Sequence, residues 1–379
     1  MPQNVEKAID LLTENGYKAY AVGGCVRDSL LGLSPDDWDI ATSATPAQTE
    51  EVFRNYRVIE TGIKHGTVTV IIDKAPLEIT TFRVDGQYKD FRHPESVSFT
   101  AEISEDLGRR DFTVNALAYN HQEGIIDCFR GKEDLKNRLI RCVGEPDERF
   151  NEDALRILRA LRFASVLGFD IEKNTAESIL RNKHLLKSIA AERIQKELVK
   201  LLCGKNTEDV LLKYSSVIFT VINELEPLYN LKQINKYHIY NAWEHTVHSV
   251  SSVQPTPKLR MTMLLHDIGK AKCATTDEKG ISHFYGHPKV SEEMADKILH
   301  SLKFPNKFIE SVLILIKNHD AWVYNNPQKL NRWLYQIGEE NLRDLLEVMR
   351  ADILAQSPKF NNRLELIDEC IKKIDEIIS

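Results

Sequence analysis

Cysteine is scarce and scattered, with six residues at 25, 128, 142, 203, 273 and 370 and no C-x-x-C pair among them. That spacing excludes a zinc knuckle on paired cysteines and gives no disulfide frame, so reduced thiols in a cytoplasmic chain are expected. Long apolar runs are missing as well. No stretch approaches the roughly 20 residues that a membrane helix needs. The opening MPQNVEKAIDLLTENGYK lacks the apolar centre of a signal peptide and instead sets Val5, Ala8, Ile9 and Leu12 at helical spacing. Nor is there a strong charge of one sign. The formal net charge of −6 over 379 residues is mildly acidic, which neither requires nor forbids nucleic acid, because a local basic face decides that contact. The length suggests about two or three domains with real cores.

What is present is densest between Tyr20 and Ile40. Ala19 to Val22 form an apolar run that predicts a short buried strand. Gly23 and Gly24 then remove side chains where the backbone must bend and expose its N–H groups, the makings of a phosphate cradle. Arg27 follows as a planar donor suited to phosphate oxygens. Asp37 and Asp39 flank Trp38 at a spacing of two. On a strand that spacing sends both carboxylates from one face, and two like charges held together call for a cation. A pair of Mg²⁺ ions could activate an attacking hydroxyl there and hold a triphosphate for in-line displacement. A strand, Gly-Gly, Arg-Asp and D-x-D in this order resemble the signature of the polymerase-β-like nucleotidyltransferases.

The surrounding sequence reads as an α/β frame. Thr45 can cap a helix with Pro46 in its first turn. Residues 66–73 and 77–82 are rich in β-branched residues around a turn at Lys74-Ala75-Pro76, so a hairpin is expected. Its Glu78 is either a third acidic group beside the D-x-D pair or an ordinary solvated strand residue. Arg83 to Pro94 is polar and predicts a mobile loop beside the site. Arg109-Arg110-Asp111 leads into an apolar stretch expected to be helical. Arg110 is placed to grip a triphosphate. Asp111 could accept a hydrogen bond from a ribose hydroxyl or simply favour a helix N-terminus. The first domain should close near Glu145.

Beyond that point helix dominates. Asn151 to Phe163 begins with capping chemistry and continues with strong helix formers, setting Asp153, Arg156, Arg159 and Arg162 in one row. The plain reading is a surface ion pair. The sharper one follows from donor and acceptor geometry. Cytosine and adenine each present an amino donor beside a ring-nitrogen acceptor, whereas uracil and guanine present a ring N–H beside a carbonyl. A carboxylate with a guanidinium therefore matches C and A alone. Each mismatch would leave buried polar groups unpaired at roughly 1–3 kcal/mol apiece.

GGCVRD, DDWDI, RRDFTVNALAY, the EDALR box at 152–156 and AERIQKEL at 191–198 together resemble the ordered motifs of class II tRNA nucleotidyltransferases, the CCA-adding enzymes, over about residues 20–202. The resemblance implies an α+β fold: a polymerase-β-like head of small mixed sheet and helices at 1–145, then an all-helical neck at 146–205. It implies addition of C, C and A to the 3′ end of tRNA from CTP and ATP with Mg²⁺. Asp37 and Asp39 would hold the metals and act in catalysis. Gly23, Gly24, Arg27 and Arg110, with Asp111, would bind the nucleotide. Asp153 and Arg156 would read the base, and Arg159 and Arg162 would lie on phosphate or serve as supports. Glu192, Arg193 and Glu197 would brace the neck. An enzyme adding only the terminal A keeps the same loop and stays open as an alternative. A poly(A) polymerase is less well matched, since no basic RKF-type motif or long basic tail is visible.

The third part, 206–379, carries a further motif. His266-Asp267 in LLHDIGK, after His245 in NAWEHTVHSV, resembles the HD metal-dependent phosphohydrolase signature at about 240–355. By that resemblance His245, His266, Asp267 and Asp352 form the main ligand set, with His287 and His319 as candidates for a second. Such donors suit Mg²⁺, Mn²⁺, Ni²⁺ or iron. Some HD-bearing CCA enzymes act as phosphatases or 2′,3′-cyclic phosphodiesterases. Two further readings belong to other classes: a phosphohydrolase whose head only senses nucleotides, and an RNA-binding protein with an inactive head.

Overall fold

The computed structural model describes residues 1–63, 66–86, 97–321 and 323–378. They divide into two compact units, Met1–Ala160 with Phe169–Leu185, and Leu161–Gly168 with Leu186–Ser379.

The first unit is built on one mixed sheet. In chain order its elements are α1 (Gln3–Glu14), β1 (Ala19–Val22), α2 (Gly24–Leu30), β2 (Asp39–Thr42), α3 (Pro46–Val52), β3 (Arg57–Gly62), β4 (Thr67–Ile72) and β5 (Ala75–Thr81). There follow β6 (Arg83–Asp85), β7 (Val97–Phe99), α4 (Ile103–Gly108), β8 (Leu117–Asn120), β9 (Gly124–Asp127), α5 (Gly131–Asn137), β10 (Leu139–Ile140) and α6 (Pro146–Glu152). Seven of the strands hydrogen-bond in the order β3-β4-β5-β2-β1-β8-β9. Only β2 and β5 run parallel within that sheet. The expected α+β head is thus what the residues form.

Burial explains the arrangement. All four residues of β1 are buried, as expected for a strand flanked on both edges. Tyr20 and Val22 on one face cluster with Ala41, Phe82, Leu107, Ala116 and Ala118, while α1 packs its Val5, Ala8, Ile9 and Leu12 stripe against the same strand. Each large side chain removed from water contributes roughly 1.5–3 kcal/mol, enough to pin the sheet from both sides. The Thr45 cap is present as expected: its hydroxyl accepts from Gln48 N while the Gln48 side chain accepts from Thr45 N.

Several local expectations are corrected. Asp37 precedes β2 and is not on it, because the last strand pair is Val22 with Asp39 and the chain beyond Val22 leaves for α2. In the β4–β5 hairpin the turn residues are Asp73 and Lys74, both at positive φ, and Ala75 and Pro76 already belong to the strand. Arg109 to Asp111 do not enter a helix. They follow the end of α4 and lead through a short 3₁₀ turn, Thr113–Asn115, into β8. A short apolar run does not separate helix from strand, and pairing with β1 and β9 decides it. Of the expected loop from Arg83, residues 83–85 form a strand paired with β7, and 87–94 lie outside the described residues.

The expected single helix from Asn151 is also broken. Helix α6 ends at Glu152, Asp153 adopts an extended conformation, and α7 (Leu155–Leu167) starts anew. Asp153 accepts from Leu155 N at 3.1 Å, a short polar side chain taking the backbone donor that a continuous helix would have used. Helix α7 crosses the division between the units. The first unit then gains β11 (Asp170–Ile171), which pairs with β10, and α8 (Lys173–Asn182).

The second unit is helical. It contains α9 (Ala191–Leu202), α10 (Thr207–Lys213), α11 (Ser215–Val221), α12 (Ala242–Ser252), α13 (Pro257–Leu265), α14 (Lys270–Cys273), α15 (His287–Ser301), α16 (Asn306–Asn318), α17 (Pro327–Leu354) and α18 (Arg363–Ile378). A small hairpin, β12 (Thr275–Thr276) with β13 (Ser282–His283), interrupts the helices. Asn241 caps α12 through a reciprocal box with Glu244, which sets the start of the helix that carries His245.

Candidate active site and metal centre

In the first unit the register of three strands brings the acidic residues together. Val22 pairs with Asp39, and Asp39 pairs with Glu78. Paired residues on adjacent strands project from the same face, so the side chains of Asp39 and Glu78 are neighbours. Asp37 is close enough to act on Asp39. Partial desolvation raises the Asp39 pKa, the Arg110 guanidinium pulls it back, and the Asp37 carboxylate adds to the rise. Arg110 reaches this point because of Gly23. That residue has φ +80°, and a Cβ on it would stand 2.7 Å from Arg110 Nη1, so a side chain there would be strained and would displace the arginine. Three carboxylates with hard oxygen donors fit Mg²⁺ better than a softer ion. Of the sequence-predicted residues, Gly23, Asp37, Asp39 and Arg110 are therefore gathered at one end of the sheet, with Gly24 opening α2.

Arg27 and Asp111 are already engaged. Arg27 is buried, donates from Nε and Nη2 to the two Asp28 oxygens at 2.8 Å each, and from Nη1 to Asn115 Oδ1 at 2.6 Å. Asp111 Oδ1 accepts from Phe112 N at 2.8 Å and Asn115 Nδ2 at 3.0 Å, while Oδ2 accepts from Arg159 Nε at 2.8 Å and Nη2 at 2.5 Å. Those four bonds use the usual acceptor capacity of a carboxylate, so a ribose hydroxyl would have to displace one of them. Asn115, in the middle of RRDFTVN, ties the two residues together. Sequence reasoning quoted it without giving it a role.

Asp111 also yields a pH prediction. Burial would raise its pKa, but Arg159 and the bond from Asn115 hold it down to about 2. A depressed carboxylate stabilises the fold above its unfolded pKa of about 3.9, and that contribution disappears as pH falls through the folded value. The shift corresponds to about 2.5 kcal/mol. Replacing Arg159 with Leu should thus lower the unfolding free energy by about that amount at pH 7, with the difference from the parent shrinking between about pH 4 and 2. Urea unfolding across that range would show it, and a pH-independent difference would count against the pair.

The base-reading candidates stand at the helix break, Asp153, and just after it, Arg156. Arg156 is buried and donates from Nη1 to Glu152 Oε2 at 2.5 Å and Arg149 O at 3.1 Å, and from Nη2 to Arg109 O at 3.0 Å. Asp153 caps α7 as described. Glu152, part of the EDALR box but given no role from sequence, is the carboxylate that orients Arg156. In the second unit Arg162 lies 2.9 Å from Glu197 and over the ring of Phe163.

The His and Asp residues of the second unit converge. His245, His266, Asp267, His287 and His319 are buried. His245 Nε2 lies 2.9 Å from Asp352 Oδ1 and 3.4 Å from Asp267 Oδ2. His287 Nε2 lies 3.2 Å from Asp267 Oδ1, and His319 Nε2 3.6 Å from the same oxygen. Asp267 thus belongs to two groups of donors, one with His245 and His266, the other with His287 and His319.

Each imidazole is turned the same way. The Nδ1 atoms lie at hydrogen-bond distance from backbone carbonyls: His245 to Ala355 at 3.2 Å, His266 to Met263 at 2.7 Å, His287 to Phe284 at 2.9 Å and His319 to Ile316 at 2.6 Å. With Nδ1–H donated outward, the Nε2 lone pairs point inward, the orientation of metal-ligating histidines. Among the described residues the buried His266 Nε2 has no hydrogen-bond partner, although it lies 3.3 Å from Asp267 Oδ2, and the Nε2 atoms of His287 and His319 lie 3.1 Å apart. Lone pairs so placed repel unless a cation or a proton sits between them. The cluster fits divalent metal on this ground.

Lys270 and His238 complete the surroundings, and sequence reasoning missed both as site residues. Lys270 Nζ lies 2.5 Å from Asp267 Oδ2, donates to Gln233 Oε1 at 2.8 Å, and approaches His238 Nε2 at 3.5 Å. Burial first, and then the Lys270 charge, push the His238 imidazole down to about 3. Lys270 was visible in HDIGK, whereas His238 lay in a stretch with no recognisable pattern. The cluster opens into a cleft of about 480 Å³.

The family model for the poly A polymerase head domain matches residues 19–141, that for a probable RNA and SrmB-binding site of polymerase A matches 168–214, and that for the HD domain matches 244–357. A nucleotidyltransferase head and an HD domain both imply use of divalent metal. The CCA-adding enzyme of Lactobacillus helveticus is 49% identical over 348 residues, covering 92% of this chain and 78% of that protein. That of Ligilactobacillus salivarius is 49% identical over 217 residues, 56% of this chain and 53% of that protein. The match thus spans about half the length of several such relatives. The crystal structure of the Bacillus stearothermophilus CCA-adding enzyme in complex with CTP superposes with a TM-score of 0.73 at 30% identity, covering 99% of this chain and 82% of that one. Among the described residues no helix is long and apolar enough to cross a membrane.

Proposed function

The chain belongs to the CCA-adding enzymes, and from that premise we propose that it adds C, C and A in turn to the 3′ end of tRNA. CTP and ATP are the substrates, and each step releases pyrophosphate as the terminal ribose hydroxyl attacks the α-phosphate. The observation that carries the reading is the strand register that sets Asp39 beside Glu78 next to the Gly23 turn and Arg110. When bound, divalent ions supply activation of the hydroxyl and neutralisation of the triphosphate. Mg²⁺ is the metal assigned to Asp37 and Asp39, with Glu78 as a third donor.

The remaining roles fall to this chain's own side chains. Arg110 and the Gly23-Gly24 backbone hold the triphosphate, and Arg27 fixes the turn through Asp28 and Asn115. Asp153 and Arg156 read the base, Glu152 holding the guanidinium in place. The hydrogen bond from Arg159 to Asp111 and the ion pair of Arg162 with Glu197 favour supporting roles for both arginines. Work divides as catalysis in residues 1–145, base selection in 146–205, and RNA binding with the HD site in 206–379. The place of action is the cytoplasm.

Replacing Arg156 with Ala should relax selection more than it weakens triphosphate affinity. The loss of about 1–3 kcal/mol of discrimination would raise use of UTP and GTP relative to CTP and ATP by roughly 5–150-fold. Single-nucleotide incorporation would measure it, and an unchanged preference would place base reading elsewhere. The reading as a whole is tested by intact mass: tRNA lacking its last three nucleotides should gain the mass of C, C and A with CTP and ATP. No gain would overturn it.

A second activity rests on a separate observation, the inward-facing Nε2 atoms around Asp267. We infer that the HD site hydrolyses phosphate esters with Mn²⁺, Ni²⁺ or iron held by His245, His266, Asp267 and Asp352, and a second ion held through His287 and His319.

A further inference from the structure

The cleft above Asp267 has an unusual wall. Tyr285 is 80% exposed, yet it is not a loose side chain. Its ring lies parallel to that of His283, with centroids 5.2 Å apart and planes 10° from one another. The Tyr285 hydroxyl meets His283 Nδ1 at 3.2 Å, and His283 Nε2 meets Asp277 Oδ2 at 3.0 Å. Asp277 in turn accepts from Lys279 N and Ile281 N, each at 2.9 Å, within the loop that joins β12 to β13. The ring is thus backed on one face, braced at its hydroxyl and open to solvent. Two residues later the chain supplies His287 to the metal cluster. Both Tyr285 and His287 line the same cleft, with Lys270, Asp267 and Tyr237 also among its lining residues.

An exposed aromatic ring held in a fixed plane adds little apolar burial to the fold. A flat ring next to a phosphate-binding centre has the two chemistries of a nucleotide: a π-face for the base and cations for the phosphate. We propose that Tyr285, backed by His283, is a base-stacking platform that makes the HD cleft a site for nucleoside phosphates in preference to phosphate esters without a base. Tyr285 is on this view a specificity-determining residue. The inference rests on the HD hydrolase reading for the placing of the phosphate, and on the platform geometry for the base.

The test uses binding as well as turnover, on the full chain loaded with Mn²⁺. Affinity for GMP, for a trinucleotide ending in a 3′-phosphate, and for inorganic phosphate is measured by calorimetry in the parent, Tyr285→Ala, Tyr285→Phe and Asp267→Ala. Base–aromatic stacking of about 1–3 kcal/mol predicts that Tyr285→Ala weakens the base-bearing probe roughly 5–150-fold and leaves inorganic phosphate unchanged. Tyr285→Phe should bind like the parent, and Asp267→Ala should bind neither. GMP as the affected probe assigns the platform to free nucleotides, the trinucleotide alone to a chain end, and both results support it. Equal losses for phosphate and nucleotide, no loss in Tyr285→Ala, or no binding of either nucleotide probe to the parent would overturn it. Hydrolysis of 2′,3′-cyclic GMP and glycerol phosphate is followed in parallel. If neither is cleaved while the binding pattern holds, the hydrolase reading fails and the platform stands.

Discussion

Replacing Asp39 with Ala is expected to lower incorporation of CMP and of AMP into tRNA by about a thousandfold or more. Asp39 is the one residue of β2 that faces Glu78 across the parallel pair and also lies beside Val22, the last residue before the Gly23 turn. Removing it leaves Asp37 and Glu78 too few to hold the ions that a triphosphate transfer needs, and loss of roughly 4 kcal/mol of transition-state stabilisation amounts to that factor. Both nucleotides should suffer alike, since the carboxylate acts on the phosphates and has no part in reading the base. The melting temperature should hardly move, because Asp39 lies at the exposed end of its strand and its removal relieves repulsion with Asp37. Rapid-quench incorporation with each nucleotide measures the effect. Retained transfer at ordinary Mg²⁺ would reject the assignment.

Asp267→Asn should separate the two units functionally. Its two oxygens serve different donor groups, with Oδ2 toward His245 and His266 and Oδ1 toward His287 and His319. One substitution should therefore empty both. Metal retained after desalting is expected to fall about 10²-fold in affinity or more, since even residues behind the ligands cost 10–100-fold. Phosphate-ester hydrolysis should vanish with it. The side chain keeps its shape, but Lys270 loses its carboxylate, and a buried charge left unpaired costs about 3–5 kcal/mol. A lower melting temperature of the second unit should accompany the loss. Addition of CMP and AMP should continue at the parental rate, which shows that the variant is folded where it must be. Undiminished metal content would contradict the shared role of Asp267.

These expectations show where the sequence was informative. Local chemistry was legible wherever short-range rules apply. The β1 strand, the Gly23 turn, the Thr45 cap and the helix that delivers His266 were all readable from residue type and spacing, whereas the grouping of His245, His266, Asp267 and Asp352 came from the resemblance to the HD signature. What escaped were features decided by partners far along the chain. Asp37 and Asp39 looked equivalent at a spacing of two, but strand pairing with Val22 admits only the second. The run after Asp111 looked helical until β1 and β9 claimed it. A continuous helix through Asp153 was a fair reading of propensity, yet a single side-chain bond to Leu155 N breaks it. Glu78 could be named only as one of two options, and the parallel register with β2 resolves its position. His238 and Gln233 had no pattern to announce them, and became visible only through the Lys270 ammonium that both approach.

The proposed function requires the acidic end of the sheet to work as a polymerising centre that stops after three additions. The most direct measurement gives the protein tRNAs ending before the first C, before the A, and after the A, with each labelled nucleotide in turn, and sequences the products. The account predicts CMP added only to the first in the absence of ATP, AMP alone added to the second, and nothing added to the third. Extension of the completed end by repeated AMP, or no addition to the first tRNA with CTP, would contradict it.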